Sequence, residues 1–190
     1  MAELLQFLFS GVTVGAVYAL VALGFTIIYN ASDVVNFAQG EFVMLGGMLT
    51  FVCHASGLPL PLAALIAIAA TSAIGVAMNK LAIEPARGAP VVSLIIITIG
   101  ASIFIRGGAQ LLFGKQIHSF PAFSGDTPLR IGGATILPQS LWVIGGAVVV
   151  FVGLWLFFTR TLTGRAVLAT SNNRLAAQLV GINTGFVMTL

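Results

Sequence analysis

Read for polarity, the chain alternates long apolar runs with short polar breaks. A helix needs about 20 mostly apolar residues to cross the hydrocarbon core of a membrane. On that rule five stretches qualify, at roughly 4 to 29, 38 to 56, 60 to 79, 90 to 112 and 138 to 158. The closing run "INTGFVMTL" reads as the opening of another apolar helix. The pattern predicts an all-α, polytopic transmembrane bundle, with residues 1–190 as one partial transmembrane domain of five spans and the start of a sixth. The N-terminus "MAELLQFLFSG" carries an acid and no basic run, so the first span is read as retained and not as a cleaved signal.

Within the spans, small residues recur at helical spacing. Gly11 and Gly15 form a GxxxG that continues through Ala19, and Ala63, Ala67, Thr71, Gly75 and Asn79 run down one face of the third span. Such stripes let backbones approach closely where lipid supplies no hydrophobic drive for association, and bundle packing is the expectation for both. The connection at 113 to 137 is rich in Gly, Pro and Ser, and "RIGGATI" within it predicts a small hairpin. Its composition leaves open whether it meets an external partner or is a passive loop.

Composition agrees with the hydropathy pattern: 58% of the residues are hydrophobic, 7% are charged, and the mean hydropathy is +1.09. The net charge of +3 therefore reads as orientation signals at membrane edges and not as a nucleic-acid surface. Lys80, Arg87, Arg160, Arg165 and Arg174 lie in the connections at 80 to 89 and 159 to 182, against Lys115 and Arg130 in that at 113 to 137. This bias predicts that the first pair of connections faces the cytoplasm and, by counting back, that the N-terminus lies outside. Trp142 and Trp155, near opposite ends of the fifth span, fit either interfacial anchors or packed aromatics.

Catalytic signatures are missing. "GGAQLLFGKQ" has Ala109 and Gln116 where a Walker A loop needs Gly and Ser or Thr, so ATP hydrolysis by that route is excluded. There is no HExxH or GxSxG, and Cys53, His54 and His118 supply no zinc-ligand spacing. The expectation is a non-enzyme without cofactor or metal.

Three polar constellations stand out. In "NASDVVNFAQGEF", Asn36 and Gln39 have the spacing of a capping box, which predicts a helix starting at Asn36 with Asp33 and Glu41 near its dipole-favoured end. The segment is either a discontinuous helix lining a path through the membrane or a capped cytoplasmic turn. On the fourth span Thr98, Ser102, Arg106 and Gln110 share one helical face. That face points into the bundle or a water-filled path, although Arg106 alone could snorkel to an interface. Finally, Gly164 to Gly181 has helical character in a mildly basic cytoplasmic loop, with Gly181 as its stop. That helix could lie on the membrane surface among lipid headgroups or dock into a protein groove.

The runs "GVTVGAVYALVALGFTIIYNASDVVNFAQGEFVMLGG", "EPARGAPVVSLIIITIGASIFIRGGAQLLFG" and "GRAVLATSNNRLAAQLVGIN" resemble the membrane permease of bacterial ABC importers for branched-chain amino acids, and among those the shorter of the paired permeases. The resemblance covers essentially the whole chain, and members of that family run on through further spans. It implies an inner-membrane location, a second permease subunit as heterodimer partner, separate ABC ATPase subunits and a periplasmic amino-acid-binding protein. It also implies that "NNRLAAQLVGIN" is the coupling helix, with Ala176, Ala177 and Gly181 on the family pattern and Leu175 where an acid is usual. Gly164, Arg165, Asn172, Asn173 and Arg174 complete the expected ATPase-coupling set. A zwitterion with an apolar side chain needs a donor for its carboxylate and an acceptor for its ammonium, so Asn36, Gln39, Glu41, Thr98, Ser102 and Arg106 are the expected substrate-path residues. An ATP-independent channel or secondary transporter, or a membrane scaffold without flux, would carry the same hydropathy pattern.

Overall fold

The computed structural model describes residues 2–32, 34–86, 88–116, 120, 124–125, 127–131 and 133–187; the calls on Asp33, Arg87 and His118 lie outside them. All five apolar stretches are helices: α1 Ala2–Ser32, α2 Gln39–Ala55, α3 Leu60–Met78, α4 Val91–Phe113 and α5 Pro138–Arg160. A π-helical turn, Asn79–Ile83, and a 3-10 turn, Glu84–Ala86, extend α3. Pro59, Pro90 and Leu137 are extended residues at which the chain turns into α3, α4 and α5. The fold is all-α and polytopic. Among the described residues four helices are long and apolar enough to cross a membrane, namely α1, α3 with its extension, α4 and α5. The second expected span, α2, is the shortest: it has 17 residues, about 26 Å at 1.5 Å per residue against a core of about 30 Å.

The chain divides into two compact units. The first comprises Met1–Ile27 and Pro121–Ile182. In it the expected hairpin is present: β1 (Leu129–Ile131) pairs antiparallel with β2 (Ala134–Ile136), Arg130 opposite Thr135. Gly133 has φ +85, a conformation that a residue without Cβ adopts freely. Thr135 N–H donates to Gln6 Oε1 at 2.7 Å, which holds the start of α1 beside this hairpin. Trp142 Nε1–H donates to Ser124 Oγ at 2.8 Å, whereas Trp155 is exposed. The small-residue stripe of α1 is uncovered among the described residues: a Cβ on Gly11 or Gly15 would meet nothing within 4 Å.

After α5 the chain doubles back into α6 (Leu162–Asn172) and α7 (Arg174–Leu179). The single helix expected over Gly164 to Gly181 is thus two. Asn173, extended at φ -155 and ψ 102, breaks it, because its Oδ1 accepts Ala176 N–H at 3.0 Å and starts a new helix. Gly181 stops α7 as expected: at φ +87 it donates to Gln178 O while Ile182 N–H donates to Ala177 O, both at 3.0 Å, the paired bonds of a Schellman end.

The second unit comprises Ile28–Phe120 and Asn183–Leu190, and holds α2, α3, α4 and α8 (Thr184–Val187). The α3 stripe packs on α2 as expected. Ala63 and Ala67 are buried, and a Cβ on Gly75 would lie 3.9 Å from Phe42 Cε1. At the far end of α2, Phe120 meets Phe51 edge to face at 5.6 Å and stacks on His54 at 6.1 Å.

Candidate functional site

The capping box expected at Asn36 does not form. Asn36 Oδ1 instead accepts Ala38 N–H at 3.0 Å, and Asn36 O accepts Gln39 N–H at 3.3 Å, so the side chain closes a turn two residues on. Helix α2 therefore starts at Gln39, three residues later than expected, with Ala38 as an N-cap lacking any side-chain bond.

This turn is fastened to α4. Thr98, wholly buried, accepts Phe37 N–H at 3.4 Å, and its hydroxyl donates to Ile95 O at 2.9 Å with Val35 O 3.4 Å away. Thr98 lies seven residues into α4, about 10 Å from Val91 at 1.5 Å per residue. The α1–α2 connection thus sits well inside the length of a membrane-crossing helix and not level with its end. Irregular backbone inside a bilayer persists only against protein or a water-filled cavity.

One to two turns farther along α4 lies a charged cluster. Glu41, 4% exposed, projects from the first turn of α2, and its Oε1 accepts Ser102 Oγ–H at 3.0 Å, Arg106 Nε–H at 3.1 Å and Arg106 Nη2–H at 2.6 Å. Residues 35 to 37 face Thr98 while Glu41 faces Ser102 and Arg106, so α2 and α4 run in the same direction. The Arg106 guanidinium turns onto Glu41. The side chains differ in access: that of Arg106 is 63% exposed and that of Glu41 6%. Gln39 stands half-buried two residues before Glu41, and Gln110, the last residue of the α4 stripe, is exposed outside the cluster.

The expected coupling residues form a second constellation, in the other unit. Thr161 Oγ1 accepts Gly164 N–H at 2.9 Å and donates to Phe157 O at 2.7 Å, which joins the start of α6 to the end of α5. Arg165 donates through Nε at 3.1 Å and Nη2 at 3.0 Å to Thr159 O, a cation on the last carbonyls of α5. Gly164 is buried against the α5 backbone: a Cβ there would lie 2.7 Å from Phe157 C and 2.8 Å from Phe158 Cα. Asn172, Arg174, Leu175, Ala176 and Leu179 are exposed, and Ala177 is buried. Thr161 belongs to none of the sequence motifs; a threonine directly after a long apolar helix and just before a second helical segment is the capping signal that marks it.

Among the described residues no three His, Cys, Asp or Glu side chains come together as a metal site. An open groove of about 320 Å³ between α2 and α3 is lined by Phe42, Gly46, Ala67 and Thr71 and carries no titratable group.

The family described as the branched-chain amino acid transport system permease component matches residues 7–190. The high-affinity branched-chain amino acid transport system permease protein BraD of Pseudomonas aeruginosa is 32% identical over 98% of this chain and 65% of its own length. Its counterpart LivH of Escherichia coli is 30% identical with the same coverage. The ribose import permease protein RbsC of Escherichia coli is 27% identical over 88% of the chain and 50% of the relative. No solved structure matches. The chain spans about 65% of the length of BraD and LivH. Its apolar helices and the match over residues 7–190 together make it a member of the branched-chain amino acid transport system permease family.

Proposed function

We propose that the chain is the membrane permease part of a bacterial inner-membrane ABC importer for branched-chain amino acids. It pairs with a second permease subunit, receives substrate from a periplasmic binding protein and is driven by separate ATPase subunits. The observation that carries the reading is the break at residues 34–38, held about 10 Å along α4, with Glu41, Ser102 and Arg106 just beyond it. A polar helix start at that depth suits a transient path for a zwitterion. Asn36, Gln39, Glu41, Ser102 and Arg106 line it, and Thr98, expected among them, is wholly buried and seats the turn from behind. The names of BraD and LivH support the substrate class.

The α6–α7 elbow is the coupling element, and residues 159–182 form the cytoplasmic coupling loop. Exposed Leu162, Leu175, Leu179 and Val180 offer an apolar face for a groove on the ATPase, and Asn172 and Arg174 lie at its rim. Gly164 and Arg165 bind the elbow to α5, Asn173 and Gly181 delimit α7, and Ala176 and Ala177 form its short body. Closure of the ATPase pair would then move α5 with the elbow as a lever.

Crosslinking tests this. In a Cys53→Ser chain, Asn172→Cys or Arg174→Cys crosslinks to the ATPase subunit in assembled membranes. The absence of any product along the loop, or leucine uptake that persists without the ATPase, would contradict the reading.

A further inference from the structure

Three donors converge on one oxygen of Glu41. Ser102 Oγ and both Arg106 nitrogens reach Oε1, and among the described residues no hydrogen bond ends on Oε2. An arginine usually spreads a carboxylate pair over two oxygens in parallel. Here the fork closes on one, so the carboxylate keeps a whole acceptor oxygen and the guanidinium keeps the donors of Nη1. The exposure is uneven in the same sense. Glu41 is fixed and buried, whereas Arg106 is the open half. An arginine so exposed on a membrane-crossing helix faces water or protein in the assembled molecule, because lipid is a costly neighbour for it.

We propose that the Glu41–Arg106 pair is an exchange site for the two charged ends of a free α-amino acid, the α-ammonium taking Glu41 and the α-carboxylate taking Arg106. This rests on the transport reading above. The exchange brings no net charge into the apolar surroundings, since a neutral pair receives a neutral zwitterion. A simple amine or carboxylate would leave one member of the pair without a partner, which is a device for rejecting it. As Arg106 swings toward the ligand carboxylate, Glu41 keeps its bond from Ser102. Ser102 is thus a positioning residue that holds the acceptor still.

The test uses the whole transporter, with its permease partner, ATPase pair and binding protein, in proteoliposomes, and reads leucine taken up per ATP hydrolysed. The double variant Glu41→Gln/Arg106→Gln removes both charges together and strands neither. If the pair merely braces α2 against α4, this variant retains a ratio within about twofold of the wild type, and the proposal is overturned. The exchange site predicts a fall on the order of tenfold or more. Should the double variant not assemble, Arg106→Lys decides. It keeps the charge and loses the planar fork, so the ratio falls by at least about threefold, and equality with the wild type overturns the proposal. Wild-type vesicles with no ATP-driven uptake would sink the transport reading itself, an outcome separate from either variant result.

Discussion

Replacing Gly164 with valine abolishes ATP-driven uptake and lowers the melting temperature of the purified transporter. Two effects of opposite sign meet at this position. Apart from proline, a residue with a Cβ favours a helix more than glycine, by up to about 1 kcal/mol for alanine. Against this, the first carbon of the new side chain would lie 2.7 Å from Phe157 C and 2.8 Å from Phe158 Cα, with Phe157 O closer still. These are backbone atoms at the end of α5 and cannot turn aside as a side-chain tip would. Overpacking of this kind costs about 1 to 3 kcal/mol or more, so the steric effect wins. Relief requires α6 to move off α5, which strains the Thr161 cap and the Arg165 bonds to Thr159 O. Gly164→Ala has the same sign with a smaller loss. Stability and uptake equal to wild type in the valine variant would mean that α6 does not pack on α5 in this way.

Thr98→Leu reduces uptake by about tenfold or more, because an overpacking cost of about 1 to 3 kcal/mol falls on the turn that lies over this side chain. Thr98 has no exposed surface, and residues 35 to 37 are fastened directly to it. The lost hydrogen bonds are the lesser effect. Those to the turn are 3.4 Å long, and side-chain bonds between membrane helices average about 0.6 kcal/mol, a factor of roughly three. Thr98→Val keeps the volume and loses only these bonds, so its uptake falls by about two- to threefold. A leucine variant no worse than the valine variant, compared by initial uptake rate at equal expression, would show that the turn is not seated on α4.

Hydropathy alone was enough to find the five long helices, and "RIGGATI" was enough to find the hairpin, because both depend on local pattern and turn chemistry. Gly181 was legible for the same reason. Local signals failed where two of them competed. Asn36 has a side chain suited to a helix cap and equally suited to its own turn, and the turn took it. Asn173 likewise diverted a helix that composition alone would have continued. The partners of Glu41 are 61 and 65 residues away, on α4. Periodicity showed that Ser102 and Arg106 share a face, but only packing could show which acid that face meets. Gly164 was visible as a glycine shortly after the last long apolar run; its contact with the α5 backbone arises from a reversal of the chain at Thr161 that periodicity does not encode.

The central claim is that the α1–α2 connection is a water-facing break inside the membrane and forms part of the transport path. Thiol accessibility of Asn36→Cys in a Cys53→Ser chain tests it most directly, with a membrane-impermeant maleimide applied to the assembled transporter. Labelling is expected at a rate that differs clearly between the nucleotide-free and ATP-trapped states, as the path opens to one side and then the other. Equal, rapid labelling from the cytoplasmic side in both states would mark an ordinary surface turn, and no labelling in either would mark a sealed one; each result contradicts the account.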